Sequence, residues 1–254
     1  LSYYGYFDPI MKNALVTGGS SGIGRAVVMR LARSGYNVTT CARNQKDLIN
    51  LTEKLGKEGK TISTYEVDLR HELEIKSLFR DVEKTSGPLD VLINNAGVGH
   101  DAPLSSGATE LWRDMIDVNI LAVCICTREA LQNMYKHSNT GHIVNICSLS
   151  GHRLGPEGGL YAATKFALTA ITESLRRELV RDRKRIRVTQ ISPGLVETQF
   201  HSRYHRDSAV SAEIYNRFPP LDAENIAEAV HYALLQPANV NVNDILIRPL
   251  EQDF

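Results

Sequence analysis

At 254 residues, 43% apolar and 23% charged, the chain is long enough to bury one large core and too ordinary in composition to be collagen, coiled coil or wholesale disorder. Its 29 basic side chains balance 29 acidic ones, so no global field recruits nucleic acid or a membrane surface, and any ligand must be held by a local site. The longest wholly apolar run, Ile120–Cys126, falls far short of the roughly 18 residues of a spanning helix, so no membrane span is expected.

Residues 1–12 read as an N-terminal appendage, because LSYYGYFDPI has neither the basic start nor the apolar centre of a signal peptide. Secretion after removal of an upstream signal stays open. From residue 13 to 254 short β-branched runs alternate with helix-period segments: NALVTG, NVTTCAR, TISTYEVD, LDVLINNAG, GHIVNICS, IRVTQISPG and DILIRP read as strands, each separated from the next by a helix. That alternation predicts a single doubly wound Rossmann-type α/β domain, a seven-stranded, mainly parallel sheet with helices on both faces. Cys41, Cys124, Cys126 and Cys147 lie in apolar runs without paired CxxC spacing. They are expected to be reduced, buried thiols, which fits a cytoplasmic, reducing compartment.

The first strand ends in Thr17-Gly18-Gly19-Ser20-Ser21-Gly22-Ile23-Gly24 and runs straight into a helix. Glycines there permit a tight turn and close backbone approach, so that amide N–H groups and the positive helix end face a pyrophosphate. The second strand ends in Cys41-Ala42-Arg43-Asn44, with no carboxylate before Asp47. A carboxylate there would accept from the ribose 2′-OH of NAD, whereas the Arg43 guanidinium suits the 2′-phosphate of NADP. NADP is therefore expected over NAD; the alternative is that Arg43 is only a solvated residue at a helix start. Asp68, which ends the third strand, has two readings, contact with an adenine ring or a cap for the helix beginning near His71.

Tyr161 and Lys165 stand one helical turn apart in GGLYAATKFALTAITESL, and Ser148 ends the fifth strand. Reducing a carbonyl needs a proton donor on oxygen as hydride reaches carbon. A phenol near pH 10 is too weak an acid until a neighbouring cation lowers its pKa, the role assigned to Lys165, while Ser148 holds the substrate oxygen. No metal-ligand set is read from the sequence.

At this point the ordered set TGGSSGIG, NNAG at 94–97, Asn119, Ser148, Tyr161-x-x-x-Lys165 and Pro193-Gly194 resembles the short-chain dehydrogenase/reductase family, over nearly the whole chain. The resemblance implies that Asn119 is a fourth catalytic residue, anchoring a water that relays protons to the lysine. A polar Asn inside an apolar helix independently hints at function, with a satisfied core Asn as the alternative. The resemblance also implies cofactor contacts from Gly18, Ser20, Ser21, Gly22, Ile23, Gly24, Arg43, Asp68, Leu69, Asn95, Ala96, Gly97, Tyr161, Lys165, Pro193, Gly194, Val196 and Thr198. Asn94 is carried over as cofactor-proximal, with a sheet-stabilising role left open. ICTREA, SLSGHR, ISPGLVETQF and DILIRPLEQ resemble the subgroup of the member-eleven reductases and the insect farnesol-type dehydrogenases, which implies NADP-linked ketone–alcohol interconversion on lipophilic substrates such as steroids, isoprenoids or dicarbonyls.

The long segment 195–221 after the sixth strand lacks a strand signal and is expected to be a substrate lid, with Phe200 and Tyr204 among its apolar anchors. The alternative is a short helix pair packed permanently on the domain. His152 and Arg153, just past Ser148, are expected to flank the substrate, against the alternative of an ordinary loop pair. Arg-rich 176–187 reads as the solvated end of the catalytic helix rather than a nucleic-acid patch. The expected partners are a small lipophilic carbonyl or alcohol and further copies of the chain in a homodimer or homotetramer. Two functions compete: an NADP-dependent oxidoreductase, and a catalytically silent NADP-binding regulatory protein.

Overall fold

The computed structural model describes residues 12–155 and 159–253; most of the expected appendage, residues 1–11, lies outside them. The elements alternate as the pattern requires: β1 (Asn13–Thr17), α1 (Gly22–Arg33), β2 (Asn37–Ala42), α2 (Gln45–Lys57), β3 (Ile62–Glu66), α3 (Glu72–Ser86), β4 (Val91–Asn94), α4 (Thr109–Ile116), α5 (Ala122–His137), β5 (Thr140–Ile146), α6 (Gly159–Arg181), β6 (Arg185–Pro193), α7 (Phe200–His205), α8 (Ser208–Tyr215), α9 (Ala223–Leu235) and β7 (Asp244–Ile247).

The seven strands form one sheet in the order β3-β2-β1-β4-β5-β6-β7, and every pairing is parallel. Its apolar strands serve two cores at once. Val16, Ile93 and Val144 face a layer built with α1 and α9, whereas their neighbours Leu15, Leu92 and Ile143 face one built with α3, α5 and α6. Successive side chains point to opposite faces, so a strand covered on both sides must be apolar throughout. The strand order reverses between β1 and β4, which opens a crevice at their carboxyl ends, where ligands bind in this architecture.

Segment 195–221, expected as a lid or a packed helix pair, contains α7 and α8, tied at its base by a parallel bridge between Val196 and Leu221. Helices this short leave too few turns for a readable period. Of the four cysteines, Cys41, Cys126 and Cys147 are buried but Cys124 is exposed. The apolar run around it is helical, so its outer side, which also carries Leu121 at 49% exposure, faces outward. No described helix is long and apolar enough to cross a membrane.

Candidate active site

A cleft of about 1180 Å³ opens along the carboxyl edge of the sheet. At its floor, Gly18 and Gly22 adopt φ +71° and +53°, left-handed conformations that favour glycine. A Cβ on Gly24 would lie 2.3 Å from the Gly18 carbonyl oxygen, so the turn closes on itself only without one. Asn95 clamps it from β4, donating through Nδ2 to the carbonyls of Thr17 (2.9 Å) and Gly18 (3.2 Å). Ala96 N–H donates to Thr17 Oγ1 at 3.1 Å. The turn leads into α1, whose cap residue Ser21 makes no side-chain cap bond and whose first turn carries no acid. The positive end of α1 is thus left uncompensated by protein where Ser20, Ser21, Gly22, Ile23 and Gly24 line the cleft, and a pyrophosphate fits that cradle in both charge and room.

Arg43 and Leu69 line the neighbouring wall; Arg43 is exposed and makes no ion pair among the described residues. Asp68 does not cap α3, whose cap residue is His71. Its carboxylate instead accepts from the Arg70 guanidinium and, at 3.1 Å, from the Arg70 backbone N–H. Those hydrogen bonds, chiefly the side-chain one, hold its pKa at about 2. Arg70 also reaches Asp114 at 3.3 Å, which pairs with His100 at 2.7 Å. Asn94 ends β4 with its side chain turned away from the cleft lining: it is 2% exposed, and its Nδ2 donates to Asn145 Oδ1 on β5 (2.9 Å) and Thr127 Oγ1 on α5 (3.1 Å). Its sheet-stabilising reading is the one the geometry fits.

Further along, α4 and α5 run on through a widened π-type turn, Asp117–Leu121, that carries Asn119. Such turns occur often at functional sites. Asn119 is 1% exposed and fully engaged: Oδ1 accepts from Val98 N–H (2.9 Å), and Nδ2 donates to Val98 O (2.8 Å) and Thr164 Oγ1 (3.0 Å). Thr164 in turn donates to the Tyr161 carbonyl at 2.7 Å, so one polar chain fixes the π turn against the start of α6. A side chain on Gly97 would sit 3.5 Å from Asn119 Oδ1 and 3.7 Å from Lys165 Nζ; its absence leaves a small space with polar groups on both sides.

Ser148, Tyr161 and Lys165 converge on the cleft. Lys165 Nζ lies 5.8 Å from the Tyr161 ring centre and donates to Ile146 O at 3.1 Å. The electrostatics correct the sequence expectation. Withdrawal from water pushes the Tyr161 hydroxyl above the ordinary phenol value, against the opposing pull of the Ser148 hydroxyl, and burial lowers Lys165. Desolvation disfavours the charged form of each, so in this structure Lys165 does not bring the phenol's pKa down.

The far wall is aromatic. Phe200 lies 5.3 Å from Tyr161, centre to centre, and Tyr204 meets Tyr161 edge-on at 6.2 Å. Gly99, which the sequence did not single out, makes this possible, since a Cβ there would lie 2.7 Å from both Phe200 and Tyr204. Pro193, Gly194, Val196 and Thr198 line the cleft beside them. His152 does not. Its Nε2 lies 2.9 Å from Ser192 Oγ and 3.1 Å from Asp244 Oδ2, which turns the ring toward β6 and β7; Arg153, the other residue of that pair, lines the cleft. Thr164 escaped the sequence reading, unnoticed inside the Tyr-x-x-x-Lys stretch.

Residues 12–209 match the family model for short chain dehydrogenases. A mouse protein, dehydrogenase/reductase SDR family member 11, is 46% identical over 246 residues, 94% of each chain. Farnesol dehydrogenase of Aedes aegypti is 37% identical, covering 96% of this chain and 98% of its own. Among solved structures, the closed form of a serine dehydrogenase complexed with NADP+ superposes with a TM-score of 0.88 at 31% identity, covering 95% of this chain and 96% of that one.

Proposed function

Given that the chain belongs to the short chain dehydrogenase family, we propose that it is an NADP(H)-dependent oxidoreductase that interconverts a ketone or aldehyde and an alcohol on a small lipophilic substrate. The observation that carries this reading is the convergence of Ser148, Tyr161 and Lys165 on the same cleft as the glycine turn, with Tyr161 walled by Phe200 and Tyr204. The relatives named for farnesol and for NADP+ support the substrate class and the cofactor.

NADPH, when bound, supplies the hydride. The chain's own groups do the rest. The uncapped start of α1 and the glycine turn hold the pyrophosphate, and Arg43 receives the 2′-phosphate. Ser148 fixes the substrate oxygen with a hydrogen bond, and Tyr161 gives its hydroxyl proton to that oxygen as the carbonyl is reduced. Lys165 refills the proton, and Asn119, across the small space at Gly97 from Lys165 Nζ, anchors a water on that route. The aromatic wall excludes water and favours an apolar substrate body over a polar one. A homodimer or homotetramer in a cytoplasmic setting is part of the same reading, and light scattering tests the former.

The test is a panel of carbonyl and alcohol substrates followed by NADPH absorbance. Turnover of steroid, isoprenoid or dicarbonyl members, with NADPH preferred over NADH, is the expected result. Tight NADPH binding with no turnover across the panel would replace it with a cofactor-binding regulator.

A further inference from the structure

The turn that carries Ser148 needs an anchor. Beyond β5 the chain makes a single 3-10 turn, Leu149–Gly151, in which Gly151 N–H returns to Ser148 O (2.9 Å) and Ser150 N–H to Ser148 Oγ (3.1 Å). The orientation of the Ser148 hydroxyl is therefore set by where this turn sits. On the α6 side, Thr169 Oγ1 donates to Gly151 O at 3.2 Å. Immediately after the turn the chain leaves the body, with Leu154 73% exposed. Just before that, Arg153 N–H still returns to Leu149 O at 3.1 Å, and the His152 side chain reaches across to β6 and β7.

Its tie is a closed polar cluster reaching two strands away. His152 Nε2 lies 3.1 Å from Asp244 Oδ2, which can only accept, and 3.2 Å from Gln190 Nε2. Ser192 Oγ donates to Oδ1 at 2.9 Å, lies 2.9 Å from His152 Nε2, and accepts from Gln190 Nε2 at 3.1 Å. Gln190 and Ser192 stand two apart on β6 and are 2% and 0% exposed, and Gln190 pairs in register with Asp244 of β7. The cluster resembles a hydrolytic triad only in composition, because Ser192 and Asp244 face the same imidazole nitrogen, so the ring cannot pass a proton from one to the other.

We propose that His152 is a positioning residue: through Ser192 and Asp244 it locks the Ser148 turn to β6 and β7, and so sets the distance from Ser148 to Tyr161. The proposal rests on the reading of Ser148 as the group that holds the substrate oxygen. Its cost when broken is geometric, since a displacement of about 1 Å in a reacting constellation lowers turnover by up to about 100-fold.

Two readouts test it. His152→Ala should lower kcat by about 10- to 100-fold while the KM for NADPH stays within about twofold, because the glycine turn is untouched. His152→Gln, which keeps an N–H near the Nε2 position, should restore most of the loss. Asp244→Ala should match His152→Ala, and the double variant should be no worse than either, the signature of one shared interaction. Independently of turnover, hydrogen exchange of the apo protein should quicken at 148–153 in His152→Ala and stay unchanged at 13–33. If His152→Ala does not fold, Asp244→Ala removes the same anchor and is read the same way. Unchanged kcat and unchanged exchange in the folded variants overturn the proposal, as does a kcat loss that adds in the double variant. A wild-type protein without turnover would sink the functional reading alone, and the exchange result would still decide the anchoring.

Discussion

Tyr215 holds Thr198 by both ends of its backbone: its hydroxyl donates to Thr198 O at 2.8 Å, and the same oxygen accepts from Thr198 N–H at 3.2 Å. Thr198 itself lies against the phosphate turn, 3.3 Å from where a Gly22 Cβ would stand. One phenol on α8 thereby ties the aromatic cover of the cleft to the floor that would carry the cofactor. Tyr215→Phe keeps the ring and deletes both bonds. At a net worth of about 0.5–1.5 kcal/mol each, their loss should raise the KM for NADPH and for substrate together, by at most roughly 5- to 150-fold, and lower the melting temperature by a few degrees. A variant whose two KM values match wild type would show that the clasp is not what seats Thr198.

Tyr161→Phe removes the proton donor and leaves the cradle intact. Turnover should fall by about 10²–10⁴-fold while NADPH binding, followed by its fluorescence, hardly changes. Because withdrawal from water raises the Tyr161 pKa, the hydroxyl remains protonated throughout the neutral range. Carbonyl reduction should therefore be flat with pH there as far as this group is concerned, whereas the reverse oxidation, which needs the proton removed, should climb toward alkaline pH. A reduction rate that falls through neutral pH in step with a single ionisation, absent in Tyr161→Phe, would contradict this electrostatic picture.

Arg43 lines the cleft with its charge unpaired among the described residues, and Asp68 across from it is already held by Arg70. Replacing Arg43 with Gln and Ala42 with Asp removes the guanidinium and adds a carboxylate that accepts from ribose hydroxyls and repels a 2′-phosphate. The ratio of kcat/KM for NADPH over NADH should drop by about 100-fold or more, two lost or reversed charge contacts at about 1.4 kcal/mol per tenfold. A ratio that does not move would mean that Arg43 points into solvent in the working enzyme.

What could be read in advance follows from how local each signal is. The strands were legible because a parallel sheet covered on both faces demands unbroken apolar runs, as Leu15 and Val16 show by serving opposite cores. The glycine turn and the Tyr161/Lys165 pair were legible because their spacing alone carries the geometry. Helices α7 and α8 were not, since one or two turns leave no period to read. Asn94 and His152 went astray for a different reason: each sits within a few residues of a site residue, but the direction of its side chain is decided by partners far off in sequence, Asn145 and Thr127 for one, Ser192 and Asp244 for the other. The balance between burial and charge at Tyr161 was equally hidden, because it depends on Phe200 and Tyr204 closing over the ring.

His142 gives the fold its acid limit. It is 2% exposed on β5, with Nε2 2.7 Å from Thr189 Oγ1. Burial first, then the charges of Arg187 and Lys12, lower its pKa from 6.5 to about 3. The depressed value means that the unfolded chain takes up the proton first as pH falls. The stabilisation is therefore fully present above pH 6.5 and is lost progressively between there and about 3. Over that window this one group should cost up to about 1.4 kcal/mol per pH unit, and His201, lowered to about 4 mainly by burial, adds in the same direction over a narrower range. His142→Gln cannot take up the proton, so its stability, measured by urea unfolding at a series of pH values, should fall less steeply than wild type below pH 6.5 even if it starts lower. Parallel pH profiles for the two proteins would assign the acid sensitivity elsewhere.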